Sequence, residues 1–295
     1  MTETIFLSIA ILLRIFSNPL GNAFQKQLTA KGNHPLLVNF LTYLFLSLIC
    51  LYFAVSVYWQ ILPRSFWTYS ILGGMAGALG NGFLIKALQK GDLSVLGPVN
   101  SYKSVVGIIA GIILLGELPD IWGIFGMVLI IYGSYFVLET TEEGFSFRLL
   151  KRSEIQYRLW AMILTAIEAV FVKKVILASS TGIAFISWCF FGAVFSLALL
   201  CIFRLDFKQM AMRFRFTDMC GYFFLVICIG TMQLTTNYVF EHMVVGYALS
   251  IFQLSIIISV LLGQRIFREQ HIRKKLIGST IMIIGSVVII LLSNN

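Results

Sequence analysis

Residues 111–133 read GIILLGELPDIWGIFGMVLIIYG, and residues 263–285 read GQRIFREQHIRKKLIGSTIMIIG. Laid together at an offset of 152, Gly111 falls on Gly263, Glu117 on Glu269, Gly126 on Gly278 and Gly133 on Gly285. In each stretch an apolar run ends at a glutamate and a glycine-spaced apolar run follows. Four matches at one offset mark an internal repeat. Upstream the register blurs, and Asn81 matches Asn237 only with a small gap.

Working outward from that pair, the chain is a series of apolar runs. A membrane-crossing helix needs about 20 mostly apolar residues. Such runs fall at 4–27, 35–58, 66–88, 93–115 and 119–138, then at 157–178, 182–203, 218–240, 244–265 and 271–292. The expected architecture is all-α and integral to the membrane, with ten transmembrane helices as two inverted five-helix repeats around a central cavity. Residues 1–140 form the first repeat, 141–156 the connecting loop and 157–295 the second. Because five is odd, the second half enters the membrane from the opposite side. Inverted repeats of this kind characterise transporters, whose solute site lies near mid-membrane between the halves.

Composition agrees. Hydrophobic residues make up 59% of the 295, charged residues 12%, and mean hydropathy is +0.91. A soluble chain carries roughly 25% charged residues, so this one has too few to cover a surface facing water. The 26 phenylalanines fit acyl chains, since Phe needs no hydrogen-bond partner. Net charge is +9, but Lys and Arg sit in short loops and no basic stripe interleaves with aromatics, which argues against nucleic acid. The five cysteines lie in or beside apolar runs without a CxxC pair and read as packing residues. The start of the chain lacks a basic n-region and a small-residue cleavage site, so it reads as a retained first span.

The loops between odd and even spans hold most of the cations, including Lys31, Lys90, Lys151, Arg213 and the cluster from Arg265 to Lys275. By the positive-inside bias both termini face away from the cytoplasm. Gly73, Gly74, Gly77 and Gly80 place small residues along span three, as Gly107 and Gly111 do along span four. In lipid such residues mark close helix packing, and they carry no chemical role in this reading.

The segment Ala87-Leu88-Gln89-Lys90-Gly91-Asp92-Leu93-Ser94-Val95, continuing to Leu115-Gly116-Glu117, resembles the EamA-type ten-span branch of the drug/metabolite transporter superfamily. The second half keeps Glu269 but departs before it, at Ile266-Phe267-Arg268. The resemblance implies a basket in which spans one to four and six to nine surround the cavity. It also implies movement of amino acids, other metabolites or drugs, with some relatives moving sugar-linked nucleotides or lipid-linked groups. Several such proteins have both termini in the cytoplasm, against the loop charges here.

Ionisable groups at membrane depth are costly and usually face a cavity or a partner. Arg14, Lys103 and Glu168 qualify by position. One reading is an ion pair within the bundle, Glu168 with Arg14 or Lys103. The other is a net positive cavity suited to a carboxylate, with one group free to carry a coupling proton. Neutral polar residues accompany them: Asn18, Pro19 and Asn22 in span one, Asn81 and Lys86 in span three, Asn100, Ser101 and Tyr102 in span four. Span eight adds Gln233, Asn237 and Glu241, and span nine Tyr247 and Gln253. Interhelical hydrogen bonds would explain each amide alone. Gln233, Asn237 and Glu241 recur every four residues and share a helical face, which favours lining. Pro19 and Pro98 remove backbone donors and can free carbonyls toward the cavity.

The solute-binding set expected from sequence is therefore Arg14, Asn18, Asn22, Asn81, Asn100, Tyr102, Lys103, Glu168, Gln233, Asn237, Glu241, Tyr247 and Gln253. Every aspartate lies at a span end, and His34, His242 and His271 lie in or beside loops, so no spacing makes a metal or catalytic cluster. The expected function is secondary transport of a small polar metabolite, an amino acid or other carboxylate or zwitterion. The alternatives are a flippase for a lipid-linked group and a membrane-embedded enzyme. The expected partners are the solute and membrane lipids, with no cofactor, a monomeric unit, and an inner-membrane location in a bacterial source.

Overall fold

The computed structural model describes residues 2–102, 105, 120–140, 151–205, 216–243 and 245–292. Among them every element is helical and no strand occurs. The helices are α1 (Thr2–Ala30), α2 (Pro35–Ala54), α3 (Arg64–Lys90), α4 (Leu93–Val99), α5 (Ile121–Leu138) and α6 (Ser153–Ala178). They continue with α7 (Thr181–Ile202), α8 (Phe216–His242), α9 (Val245–Phe252), α10 (Ser255–Phe267) and α11 (Ile272–Leu292). A chain this apolar satisfies its backbone within helices because lipid offers no hydrogen bonds. Polar side chains mark several starts: Asp120 accepts from Gly123 N–H at 2.8 Å, and Ser180 from Ile183 N–H at 3.3 Å. At α2, Pro35 occupies the first position, where its missing N–H costs nothing.

Six described helical stretches are long and apolar enough to cross a membrane: Thr4–Ala30, Pro35–Ala54, Arg64–Lys90, Ile121–Leu138, Thr181–Ile202 and Asp218–His242. Their outer faces are bare of polar cover, as Phe6, Ile9, Leu12, Leu13 and Phe16 show on α1. Two expectations need amendment. About half of the expected fourth span, 93–115, lies outside the described residues, Lys103, Gly107 and Gly111 included, as does Glu117 beyond it. The expected ninth span, 244–265, is two helices. Gln253 and Leu254 form a tightened turn between them, where Ile256 N–H reaches Gln253 O at 2.9 Å and Ile257 N–H reaches Leu254 O at 3.2 Å. These are three-residue steps in place of the α-helical four. Helix α1, by contrast, continues through Pro19.

Helix α3 packs along α6, α1 along α8, α2 along α7 and α5 along α11. Glycine sets the last contact. A Cβ on Gly126 would lie 2.7 Å from the Gly285 carbonyl oxygen, and one on Gly133 2.6 Å from that of Gly278. Pairing 126 with 285 and 133 with 278 makes the two helices antiparallel. Four glycines that match at the offset of 152 thus meet one another at a single interface, the close backbone approach that drives association in lipid.

Candidate functional site

Helices α1, α3, α6 and α8 enclose a cavity of about 140 Å³, closed further by α4, α7 and α9. Arg14, Asn18 and Asn22 enter it from one face of α1, because side chains four apart on a helix stack above one another. Asn81 comes from α3, Asn100 from the end of α4, Glu168 from α6 and Gln233 from α8. Seven of the thirteen residues expected from sequence therefore line one space.

Each has a defined setting. Arg14 donates through Nε to Thr236 Oγ1 at 2.6 Å, and its guanidinium lies 4.8 Å from the centre of the Phe252 ring. Its Nη1 is buried and has no hydrogen-bond partner among the described residues. Among the described residues no ion pair joins Arg14 to Glu168, and the other expected pairing, Glu168 with Lys103, lies outside them. Glu168 accepts from Trp188 Nε1 at 2.6 Å. Its carboxylate rests over Gly77, where a Cβ would stand 2.2 Å from Oε1. That glycine is more than a packing residue, since it makes the seat for the acid. Asn81 donates to the Tyr43 hydroxyl at 2.7 Å, and Tyr43 packs against Trp188 with ring centres 4.7 Å apart.

Arg158 is a lining residue that the sequence reading passed over, because it lies only one residue past the expected start of span six. Helix α6 begins earlier, at Ser153, so Arg158 sits inside it and is buried. Its Nε donates to Leu96 O at 2.8 Å. That carbonyl is available because α4 tightens at its end. Asn100 N–H turns to Gly97 O at 3.0 Å instead of reaching Leu96. With Arg14 and Arg158 against Glu168, the described cavity carries two cations and one carboxylate. Trp188 and Thr236 also escaped notice; only their helical spacing among apolar neighbours could have flagged them.

The remaining expected residues lie elsewhere. Gln233 Nε2 donates to Asn237 Oδ1 at 2.9 Å, but Asn237 is fully buried against α7 and Glu241 accepts from Thr181 Oγ1 at 2.5 Å at the end of the bundle. The polar face of α8 therefore leaves the cavity after one step and becomes a tie to α7. Tyr102 donates to Ser134 Oγ at 2.6 Å, toward α5. Gln253 is buried at the break between α9 and α10, its Oε1 without a partner among the described residues. Lys86 lies outside the lining, its ammonium 4.7 Å from the centre of the Tyr157 ring. Lys103 and the side chain of Tyr247 lie outside the described residues.

The model of the EamA-like transporter family matches residues 5–139. No curated protein matches the chain. A solved structure titled only as the crystal structure of a protein is similar at a TM-score of 0.65. The likeness spans 95% of this chain and 96% of that one at 18% identity, which speaks to the fold alone.

Proposed function

From the match of residues 5–139 to the EamA-like transporter family and the multi-pass helical build, we propose that the chain is a transporter of the drug/metabolite superfamily and moves a small polar metabolite bearing a carboxylate by secondary active transport. The observation that carries this is Arg14, whose Nη1 has no partner among the described residues at the wall of a cavity that five side-chain amides also line. A buried donor left without a partner is costly, and a solute carboxylate supplies one. The volume of about 140 Å³, at roughly 30 Å³ per water, corresponds to about five water molecules. That suits a small solute, with Glu168 facing the ammonium of a zwitterion. Asn18, Asn22, Asn81, Asn100 and Gln233 supply neutral hydrogen bonds.

Alternating access follows from two five-helix halves, residues 1–140 and 157–295, related by rotation about an axis in the membrane plane. The antiparallel meeting of α5 and α11 supports this. So does the exchange of the α3–α6 packing with the α8–α1 packing when the halves are swapped. The flippase reading gains little. A groove of about 300 Å³ lined by Phe45, Leu48, Ile49, Met219, Tyr222, Phe223 and Val226 faces lipid between α2 and α8. It shares no lining residue with the central cavity.

The test is a thermal-shift screen of purified protein against amino acids, nucleotides, sugars and amines, followed by flux in proteoliposomes. A solute at a hundred times its Kd stabilises by about 2.7 kcal/mol. Carboxylates are expected to raise the melting temperature and amines alone to leave it unchanged. Stabilisation by simple amines, or by no class, would defeat the reading.

A further inference from the structure

Away from the cavity, one end of the bundle buries a second set of charges. Between α10 and α11 the chain turns through Arg268 and His271, both at positive φ, 55° and 59°. Glycine is the usual residue at such a helix end, so this turn is held against a local preference. Arg268 N–H reaches Gln264 O at 3.0 Å and Glu269 N–H reaches Gly263 O at 3.2 Å. The turn folds Glu269 back over Gly263, where a Cβ would stand 2.4 Å from Oε2.

There Glu269 meets four donors. Oε1 accepts from Lys26 Nζ at 2.8 Å and from Leu93 N–H at 2.9 Å. Oε2 accepts from Ser94 N–H at 2.8 Å and from the Ser94 hydroxyl. Lys275 Nζ donates to Ser94 Oγ at 2.8 Å and stands 3.7 Å from Asp92, which lies 3.9 Å from Lys26. The Glu269 side chain is 3% exposed and that of Lys275 2%. Burial opposes the charge on Glu269, but Lys26 and Ser94 outweigh it and hold the carboxyl below its ordinary range.

The network joins parts of the chain that are distant in sequence: Lys26 and the start of α4 on one side, Glu269 and Lys275 on the other. It also adjoins the cavity. Lys26 follows Asn22 by one helical turn on the same face of α1, about 6 Å further along. Helix α4 is gripped at its start by Glu269 and, two residues beyond Ser94, by Arg158 of the cavity wall through Leu96 O.

We propose that this network is the lock of a gate closing that end of the cavity, and that Glu269 must release the start of α4 for solute to pass there. The proposal rests on the transport reading of the cavity. An ion lock suits a gate, because water hydrates the carboxylate and ammonium once they part and so offsets the lost attraction. The same grip on α4 couples the lock to Arg158, so a solute that takes up Arg158 loosens the helix that Glu269 holds.

The test uses the full chain with Cys50, Cys189, Cys201, Cys220 and Cys228 replaced by serine and one reporter, Leu84→Cys, in the cavity wall. Labelling by a membrane-impermeant maleimide is timed in proteoliposomes from each face. Glu269→Gln is expected to speed labelling from the face bearing residues 268–271 by about tenfold or more, as loss of a charged hydrogen bond implies. Ser94→Ala, a milder change that decides the matter if Glu269→Gln fails to fold, is expected to speed it roughly fivefold. Unchanged labelling in folded variants overturns the lock. Solute flux in the same vesicles separates the two readings. Faster labelling without flux in the parent protein keeps the lock and removes the transporter, whereas normal flux with unchanged labelling removes the lock alone.

Discussion

The protein buries charge in two places, and it treats the two oppositely. Around Glu269 each carboxylate oxygen has two donors, and Lys26 and Lys275 both have acidic neighbours. In the central cavity Arg14 has one hydrogen bond, one aromatic face and a buried nitrogen with nothing to bind among the described residues. A fully partnered set stabilises the conformation that contains it. An incompletely partnered one is left ready for something that arrives. The difference separates charge used for holding from charge used for recognition, and mutations at the two places test it.

The largest effect is expected at Glu269. Glu269→Ala takes from Lys26 its nearest carboxylate, leaves the Ser94 donors without their acceptor and uncaps the start of α4, with only Asp92 still near both lysines. Breaking a buried pair by removing one partner costs about 3–5 kcal/mol, read as a large fall in melting temperature in detergent. The pH dependence has a definite sign. The folded carboxyl titrates below its ordinary range, so its stabilisation is present above the ordinary glutamate pKa and is lost as pH falls through the depressed value. The stability gap between wild type and Glu269→Gln is expected to narrow in acid. A gap that widens in acid would show that the carboxylate is not held by its cations.

Arg14 comes next, and there the readout moves from stability to binding. Arg14→Met is expected to leave the melting temperature of the empty protein nearly unchanged while weakening carboxylate binding by about 1.5–3 kcal/mol. That is roughly tenfold to a hundredfold. Arg14→Lys restores the charge without the planar fork and is expected to recover only part. Isothermal titration with the solute found by screening checks both. A destabilised empty protein with unchanged affinity would return Arg14 to the holding class.

Between these lies Glu168, whose seat over Gly77 belongs to both classes. Gly77→Ala forces the carboxylate or the α3–α6 packing to move and is expected to cost about 1–3 kcal/mol. Glu168→Gln fits the seat and is expected to spare folding. If Glu168 carries a coupling proton, the variant retains solute exchange but loses uptake driven by a pH gradient. Pumping that survives in Glu168→Gln would assign the carboxyl to orientation alone.

Much of this was legible in the sequence because lipid imposes simple rules. Length and hydropathy give the helices, and the repeated glycines give the α5–α11 contact, since only close backbone approach demands them. The cavity side of α1 was legible from its polar residues at four-residue spacing. What was not legible depends on neighbours. Asn237 and Glu241 continue the polar face of Gln233, yet α7 is close enough to claim them. Arg158 looks like a flanking charge when the span is dated from its apolar run, although Ser153 with Gln156 three residues on is a helix-start signal that places it inside α6. The break at Gln253 carries neither Pro nor Gly, so no local signal announces it.

The smallest effect sharpens the comparison down to one hydroxyl. Ser134 and Ser286 occupy matching positions at the offset of 152, and both are almost wholly buried. Ser134 accepts from the Tyr102 hydroxyl at 2.6 Å and donates to Ile131 O at 2.8 Å. The residue matching Tyr102 is Leu254, which has no hydroxyl, and Ser286 Oγ has no partner among the described residues. One serine is therefore used and the other is a buried polar atom without return. Ser134→Ala is expected to destabilise by about 0.5–1.5 kcal/mol, whereas Ser286→Ala is expected to be neutral or slightly stabilising. Leu254→Tyr, with 44% of Leu254 exposed, has room to add the missing hydroxyl. In that background Ser286→Ala should acquire a cost, and the double-mutant cycle should show a coupling of about 0.5–1 kcal/mol. Equal effects of the two alanines on thermal unfolding would mean that the offset matches positions in sequence without matching their environments.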